Sequence, residues 1–430
     1  MSKRIAFVTL GCAKNEVDSA HMQQNLIRAG YTIAGPEDEC DAVVVNTCAF
    51  IQPAIEESLD AIFELAAQEA VVSGDTKLVV CGCLPSRFGN DLSAELTEPD
   101  RFVPCKDESN LVAILDDLLD VPTTANAHQE DVEFTYEPSE YVKISDGCSR
   151  FCSFCTIPFI RGRYHSFPLE QVAEEVRQKV KGGAKEIVLI AQDSGIWGTD
   201  FEEPDTLAHL LGVIAEEHPS TWFRVMYLQP AGVTDELLDV MASHENVCEY
   251  FDIPLQHCSA EILSSMNREG SREEIESLLT RIRAALPNVT LRTTLIVGYP
   301  GETDDQFEDL CDFVSEADFD YVGIFPYSAE DGTRAAKLPD QIDEDVKMER
   351  LQELRDIADA VSTQRISSRI GSKQDVLVLG FEEDGQLYGR TQSQAPDVDG
   401  VTYVEEGTVG EFLPAKIVDT LLYEMEAERD

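Results

Sequence analysis

Cys148-Ser-Arg-Phe-Cys152-Ser-Phe-Cys155 places three cysteines in one short polar loop, directly after a predicted strand over residues 141–145. Three thiolates at these spacings can ligate three irons of a [4Fe–4S] cluster and leave the fourth iron open as a reaction site. Zinc is the competing metal, but structural zinc usually takes four ligands in two pairs, and no second pair follows nearby. The sequence therefore favours an iron–sulfur site, with buried thiols that bind no metal as the remaining alternative.

The cysteine loop follows the first of six predicted strands that alternate with helices. These strands cover residues 141–145, 186–191, 222–228, 250–254, 290–297 and 321–325. Six strand–helix units are two short of a closed eight-stranded barrel. We therefore expect an open, partial (βα)6 barrel, followed by a long helix over residues 345–370.

A second set of three cysteines lies in the N-terminal region. Cys12, Cys48 and Cys83 each follow one of three predicted strands, over residues 5–10, 42–46 and 77–81. Strands that alternate with helices predict a parallel sheet, and ligands bind beyond the carboxyl ends of such strands. The three thiols can therefore converge on one ligand, although ordinary buried cysteines would give the same spacing. Cys81 lies inside a predicted strand and is interpreted as a core residue. The remaining cysteines are interpreted as structural or surface thiols: Cys40, Cys105, Cys248, Cys258 and Cys311.

Residues 371–430 have a different pattern, with short predicted strands separated by glycine turns. This pattern is typical of a small antiparallel β-barrel. The predicted fold class is therefore α/β, with an N-terminal open parallel-sheet (Rossmann-like) domain, a central partial barrel and a C-terminal β-barrel. The predicted domain ranges are 1–121, 134–364 and 366–430, with a polar linker within residues 122–137.

The charge balance limits the partners that the chain can bind. The 430 residues contain 33 basic and 82 acidic side chains, a formal net charge of −49. Such a chain lacks the basic face that nucleic acid phosphates require, so we expect no strong nucleic-acid surface. No apolar run approaches the ~18 residues of a membrane helix, and the first ten residues read as a strand rather than a signal peptide. We therefore expect a cytoplasmic protein without membrane association, whose 12 cysteines are not disulfides.

The two cysteine sets and the order of the domains resemble a known family. The core resembles the radical S-adenosylmethionine (SAM) superfamily, the last module resembles a TRAM domain, and the whole order resembles the methylthiotransferases. One subfamily modifies an adenosine of transfer RNA (the MiaB type), and another modifies an aspartate of small-subunit ribosomal protein S-twelve (the RimO type). Four stretches are similar to the second: Leu10-Gly-Cys-Ala-Lys-Asn15 with Val17-Asp-Ser19, Ser145-Asp-Gly-Cys-Ser-Arg150, Ile253-Pro-Leu-Gln-His257, and Gly389-Arg-Thr-Gln-Ser-Gln-Ala-Pro-Asp-Val-Asp-Gly400.

Two positions depart from the pattern of that subfamily. Ala20 stands where a second acidic residue is expected, and Cys81 is an extra thiol near Cys83. The charge of residues 366–430 agrees with the ribosomal-protein subfamily, because 5 basic and 14 acidic side chains suit a basic protein better than transfer RNA.

The resemblance implies an enzyme that adds a methylthio group to the β-carbon of an aspartate, using two SAM molecules and a sulfur donor. It implies two [4Fe–4S] clusters whose ligands and catalytic groups are the six cysteines, and an electron donor such as flavodoxin or ferredoxin. The residues expected to bind SAM are Gln192, Asp193, Gln256, His257, Gly298 and Glu302. Arg161 could guide a carboxylate or remain solvated. Two alternatives stay open, a transfer RNA methylthiotransferase and a non-enzymatic iron–sulfur protein that carries electrons or senses redox state.

Overall fold

The N-terminal region forms a five-stranded parallel sheet with helices on both faces. The structure is a computed structural model that describes residues 2–35, 38–121 and 132–430, so most of the predicted linker lies outside the described residues. The sheet has the strand order β2-β1-β3-β4-β5. Its elements are β1 Arg4–Thr9, α1 Ala13–Arg28, β2 Thr32–Ile33, β3 Ala42–Thr47, α2 Gln52–Ala66, α3 Glu69–Ser73, β4 Lys77–Gly82, α4 Cys83–Glu95, β5 Arg101–Pro104 and α5 Leu111–Leu118.

The burial of the central strand β3 explains why helices cover both faces of this parallel sheet. Every residue of β3, Ala-Val-Val-Val-Asn-Thr, is buried. A strand buried on both faces needs helices on both sides, which is the arrangement that crossover connections between parallel strands produce. The predicted open parallel sheet is confirmed, with β2 and β5 as edge strands that the sequence pattern missed.

The central region contains the six predicted strands with helices between them. Its elements are β6 Ser139–Lys143, β7 Ser145–Asp146, α6 Ile157–Ile160, β8 His165–Ser166, α7 Leu169–Lys181, β9 Glu186–Ile190, α8 Leu207–Glu217, β10 Trp222–Val225, α9 Asp235–Ser243, β11 Tyr250–Asp252, α10 Ala260–Ser265, α11 Arg272–Ala285, β12 Thr290–Val297, α12 Asp304–Ala317, β13 Tyr321–Pro326 and α13 Glu344–Ser367.

The six long strands of this region form two parallel sheets of three strands each. The first has the order β10-β9-β6 and the second has the order β11-β12-β13. A single parallel bridge between Phe223 and Val247 links the two halves. The arrangement is the predicted partial barrel, since its strands continue from one half to the next without closing into a ring.

The C-terminal region is a closed five-stranded barrel with the order β14-β15-β16-β18-β17. Its strands are β14 Lys373–Phe381, β15 Leu387–Arg390, β16 Thr402–Val404, β17 Phe412–Leu421 and β18 Glu424–Arg429. The sequence reading missed β18, Glu-Met-Glu-Ala-Glu-Arg, because its charged residues outnumber its apolar ones. Only Met425 and Ala427 of β18 are buried, and this alternation marks a strand with one face toward a core.

The C-terminal barrel packs against the inner face of the partial barrel. Val188, Ile190 and Trp222 of the central strands share one apolar cluster with Leu377 and Ile417 of the small barrel. Ala13 and Val17 of α1 belong to the same cluster, so all three regions meet there. The C-terminal barrel fills the inner side of the partial barrel in this way. The space left for a ligand near the cysteine loop is therefore at the carboxyl ends of the strands.

Candidate active site

The loop that carries Cys148, Cys152 and Cys155 is held by backbone contacts along its length. Gly147, with φ +72°, precedes the first cysteine, and a Cβ atom there would lie 2.3 Å from the carbonyl oxygen of Arg163. The backbone N–H of Cys148 donates to the carbonyl oxygen of Gly162 at 3.1 Å. This close approach requires glycine, and it fixes the backbone position of Cys148.

The far side of the same loop is attached to the segment after α10. The backbone N–H of Ser153 donates to the carbonyl oxygen of Met266 at 2.9 Å. The side-chain amide of Asn267 donates to the carbonyl oxygen of Arg150 at 2.9 Å. An irregular loop that is held from both sides can present its side chains in one arrangement, as a ligand site requires.

The thiols of this loop lie in a partly buried environment close to one another. Burial raises the pKa of Cys148, and burial raises the pKa of Cys155 to about 12. Both pKa values are raised further by the charge of Cys152, against which Arg268 lies. Metal binding displaces the protons of thiols. The three cysteines would therefore become thiolates when iron binds, which fits a [4Fe–4S] cluster.

The N-terminal cysteines lie together at the carboxyl edge of their sheet. Cys12 precedes α1, Cys48 follows β3 and Cys83 begins α4. A Cβ atom at Gly11 would lie 2.6 Å from the Cβ atom and 3.0 Å from the sulfur of Cys48, so only glycine allows the two loops to meet. The structure therefore brings the ends of the three strands to one place, as the sequence pattern predicted.

Asn15 connects the N-terminal cysteines to one another. Its amide nitrogen donates to the carbonyl oxygens of Leu10 and Thr47, at 2.8 and 3.0 Å. Its amide oxygen lies 3.9 Å from the sulfur of Cys83. Asn15 thus ties together the loops that follow β1, β3 and β4.

Cys105 is a further thiol at this edge, to which the sequence pattern assigned no site role. A hydrogen bond with Cys83, together with burial, raises the pKa of the Cys105 thiol. The loop after β5 brings it there, and β5 was absent from the predicted sheet. No spacing signal could have identified Cys105 without that strand.

A buried group of charges joins this edge to the central region. Arg161 donates to Asp18 at 2.6 Å and to Asn15 at 2.7 Å, and its side chain is only 3% exposed. Lys143 also pairs with Asp18, and Asp146 accepts from Lys143 at 2.9 Å. The alternative of a solvated Arg161 is therefore wrong, because its buried guanidinium forms hydrogen bonds that link the N-terminal and central regions.

Gln192 and Asp193 lie directly beyond the carboxyl end of β9. Asp193 is fully buried and pairs with Arg150, which lies between the first two cysteines of the central loop. Oε1 of Gln192 and Oδ1 of Asp193 are buried without a hydrogen-bond partner among the described residues. Buried polar atoms without partners are costly, so acceptors left open beside a cysteine loop are suited to a polar ligand such as SAM.

The other four residues expected to bind SAM lie together in a closed group. Gln256 has a positive φ of 76°, and Nε2 of the buried His257 lies 3.6 Å from Glu302. Glu302 accepts from the backbone N–H of Gly298 at 3.0 Å and from Arg350 at 2.6 Å. The Glu302 carboxylate therefore stabilises the loop after β12, and a direct contact of these residues with SAM stays a prediction.

Lys14 belongs to the Leu10–Asn15 motif, and the sequence pattern predicted no role for it. Its side chain is 9% exposed, and its ammonium lies 3.2 Å from the centroid of the Tyr227 ring. Tyr227 follows β10, and the backbone N–H of Ser194, next to Asp193, donates to its carbonyl oxygen at 3.1 Å. Lys14 therefore extends from the N-terminal cysteines to the mouth of the partial barrel.

No three His, Cys, Asp or Glu side chains within 2–35, 38–121 and 132–430 are placed as ligands of a single metal ion. The thiolates of a [4Fe–4S] cluster each bind a different iron, so they stand further apart than the ligands of one ion. In the same part of the chain, no helix has the length and apolar composition that crossing a membrane requires.

Three family models match successive parts of the chain. The Radical SAM superfamily matches residues 142–314, an uncharacterized protein family, UPF0004, matches residues 4–103, and the TRAM domain matches residues 370–429. Among solved structures, the radical SAM methyltransferase TsrM from Kitasatospora setae is 16% identical, with a TM-score of 0.56 over 76% of this chain and 75% of that chain. The cobalamin-dependent SAM radical enzyme OxsB is 14% identical, with a TM-score of 0.52 over 83% of this chain and 56% of that chain.

Fold, cysteine loop and family models together define an enzyme of the radical SAM superfamily, which binds SAM and a [4Fe–4S] cluster. Curated relatives match along nearly the whole length. The proteins named ribosomal protein uS12 methylthiotransferase RimO from Trichlorobacter lovleyi and Geobacter sulfurreducens are each 39% identical, over 99% of this chain and 98% of theirs. The protein of that name from Clostridioides difficile is 39% identical over 98% of both chains. The chain belongs to this RimO family of methylthiotransferases. This membership favours neither a transfer RNA methylthiotransferase nor a non-enzymatic iron–sulfur protein.

Proposed function

We propose that this chain adds a methylthio group to the β-carbon of an aspartate in ribosomal protein uS12. The observation that carries the proposal is the junction around Arg161, which lies next to Cys83 and whose neighbour Gly162 accepts from the backbone N–H of Cys148. Arg161, at the end of the helix that follows the central loop, lies 3.8 Å from the sulfur of Cys83. Two cysteine sets at one junction fit a reaction that joins a group held at one set to a carbon activated at the other.

In this proposal each cysteine set holds one [4Fe–4S] cluster. Cys148, Cys152 and Cys155 would hold the cluster that works with SAM, and Cys12, Cys48 and Cys83 would hold the second. When bound, SAM and the two clusters supply radical chemistry and the methylthio group, while the protein orients them. Gln192 and Asp193 would bind the polar part of SAM with their open acceptor oxygens.

The chain's own residues limit the access of water to the junction. Arg161, Lys143, Asp18 and Asp146 fill the space between the N-terminal and central regions with paired charges. The C-terminal barrel covers the inner face of the partial barrel with apolar side chains. A reactive carbon radical needs such exclusion of water, because side reactions are otherwise open to it.

The substrate is proposed from the charge of the chain, and the electron donor from the family resemblance. A net charge of −49 suits a basic ribosomal protein, and an acidic C-terminal barrel attracts it over the length of its surface. A flavodoxin or ferredoxin as electron donor follows from the family resemblance. We also propose the domain ranges 1–121, 134–364 and 366–430, the last two meeting within the final turn of α13.

The test is incubation of the cluster-loaded enzyme with purified uS12, SAM, sulfide and a chemical reductant. Mass spectrometry should show one aspartate of uS12 carrying a methylthio group in place of a hydrogen. The Cys148→Ala variant should give no product and no 5′-deoxyadenosine. A methylthio group on transfer RNA in the same mixture, with uS12 unmodified, would overturn the proposal.

A further inference from the structure

Lys14 is a buried lysine whose ammonium has no paired carboxylate among the described residues. None of the ion pairs formed within 4.0 Å among the described residues includes its ammonium. Burial lowers the pKa of Lys14 to about 8, while the charges of Cys12, Asp252 and Asp146 act to raise it. Asp252 is occupied by Arg292 at 2.9 Å and by the backbone N–H of Tyr227 at 3.2 Å, and Asp146 belongs to the junction described above.

A buried ammonium without a counter-ion is costly, and chains rarely keep one. The face of the Tyr227 ring compensates part of this cost through a cation–π interaction. The ring lies on one side of the ammonium only, so the N–H groups on the other side can donate to a hydrogen-bond acceptor. Lys14 follows Cys12 by two residues and Tyr227 follows the carboxyl end of β10, so the ammonium lies between the N-terminal cysteine edge and the mouth of the partial barrel.

We propose that Lys14 binds the side-chain carboxylate of the substrate aspartate. This inference rests on the proposed function, and it names the residue that selects an acidic side chain. Thiolate-bound clusters on both sides are anionic, so an aspartate entering between them is repelled unless a cation receives it. An ammonium is a compact charge with three donors, which suits one carboxylate oxygen pair in a confined space.

A lysine at this position also explains selectivity against asparagine. Asparagine has the same shape as aspartate, so a pocket that reads shape alone cannot separate them. An otherwise unpaired ammonium separates them by charge, since an amide would leave the buried cation uncompensated. The Lys14 side chain thus acts as a binding and specificity residue that receives the substrate before any chemistry occurs.

The test compares uS12 with a uS12 variant in which the modified aspartate is replaced by asparagine. Fluorescence anisotropy measures the Kd of both for the cluster-loaded full-length enzyme. The wild-type enzyme should bind the asparagine form about tenfold to a hundredfold more weakly, the range of a charge-assisted hydrogen bond. Lys14→Met should bind both forms equally and as weakly as wild type binds the asparagine form.

Lys14→Met fits the buried space and removes an unpaired charge, so we expect it to fold. Lys14→Gln is the second neutral variant, and Lys14→Arg should recover much of the preference for aspartate. Lys181→Gln, which changes a lysine with a 76% exposed side chain, is the matched control and should leave both Kd values unchanged. Iron content and SAM cleavage without uS12 should be unchanged in Lys181→Gln, and the iron content of each Lys14 variant is measured so that the Kd values of equally loaded proteins are compared.

Two results would overturn the inference. The first is a neutral Lys14 variant that folds and still prefers the aspartate form as strongly as wild type does. The second is a loss of SAM affinity with unchanged affinity for uS12, which would assign the ammonium to the SAM carboxylate. Failure of the proposed function gives a different result, because the wild-type enzyme itself would then leave uS12 unmodified.

Discussion

Arg161 and Asp18 form a buried ion pair between the central and N-terminal regions, with Nη1 of the arginine 2.6 Å from Oδ2 of the aspartate. Their side chains are 3% and 5% exposed. Lys143 pairs with the other oxygen of Asp18, and Asp146 contacts both cations. Two cations and two carboxylates therefore balance one another in a largely buried space, where the side chain of Asp146 is the most exposed of the four at 17%.

Replacing Asp18 with asparagine should destabilise the protein strongly. The change leaves Arg161 and Lys143 with Asp146 as their shared carboxylate, and an uncompensated buried charge costs about 3–5 kcal/mol. Urea unfolding of the variant should show a loss of this size in the free energy of unfolding. Because the N-terminal region would be held less firmly, methylthio transfer should fall more than SAM cleavage.

Lys181 and Glu133 provide the matched control for this prediction. They form a pair at 3.0 Å, but their side chains are 76% and 83% exposed. An exposed pair contributes about 0–1 kcal/mol, so Lys181→Ala should unfold close to wild type. Equal destabilisation by the two changes would show that burial of the Asp18 group contributes nothing.

The iron content of the anaerobically reconstituted protein should be about eight irons per chain, as two four-iron clusters require. Replacing Cys148, Cys152 and Cys155 together with alanine should remove about half of that iron and abolish SAM cleavage. Replacing Cys12, Cys48 and Cys83 together should remove the other half and leave SAM cleavage in place. Chemical iron analysis and 5′-deoxyadenosine formation measure the two outcomes.

Cys81→Ala is the control for the N-terminal set. Cys81 is fully buried within β4, two residues before Cys83, and burial raises the pKa of its thiol well above the usual range. It should therefore keep its proton and leave the iron content unchanged. Full iron in the triple alanine variant of Cys12, Cys48 and Cys83 would exclude a cluster at that edge.

The strand positions could be predicted from sequence because apolar runs follow directly from burial in a parallel sheet. The predicted strand at 290–297 has the bounds of β12, and the other central strands differ by a few residues at their ends. The strand β18 was missed because three glutamates alternate with its buried residues. A strand of this kind is stabilised by the barrel that it closes, which local sequence does not show.

The roles of single polar residues were harder to predict than the cysteine sets. Spacing places Glu302 and Lys14 shortly after the carboxyl ends of predicted strands, but it does not show which way each side chain points. Glu302 turns inward to Gly298 and Arg350, whereas Lys14 crosses to Tyr227. These directions depend on how the three regions pack, and that packing is a property of the whole fold.

Asp399 should make stability depend on pH in a direction opposite to that of ordinary carboxylates. Burial raises its pKa to about 6, although Arg292 lies 3.6 Å away and Tyr250 donates to it at 2.7 Å. Between pH 4 and 6 the unfolded chain has lost this proton while the folded chain keeps it. The Asp399 contribution to stability therefore falls as pH rises through this range and stays low above it.

The Asp399→Asn variant isolates this effect, because asparagine has no proton to lose. Relative to wild type, the variant should gain about 1–2 kcal/mol in free energy of unfolding when the pH changes from about 5 to about 7. Urea unfolding of both proteins at the two pH values measures the difference. A difference that is independent of pH would mean that Asp399 is ionised throughout.

The acidic surface should make the protein more stable at high salt. Exposed Asp419 and Glu426 lie directly opposite each other on β17 and β18, and like charges in such a pair are destabilising. At low salt, about 0.01 M, the Debye length is ~30 Å and such repulsion extends across a domain, whereas near 1 M it is ~3 Å.

Folding brings the excess of negative charge together, so the melting temperature should rise by a few degrees from about 0.05 to about 2 M potassium chloride. Glu426→Lys turns the repulsion with Asp419 into attraction, and should stabilise by about 0.2–1 kcal/mol at low salt only. Thermal unfolding of both proteins across the salt series measures these changes. A melting temperature that stays flat or falls would contradict the prediction, and the acidity of the C-terminal barrel would then point more specifically to a basic partner.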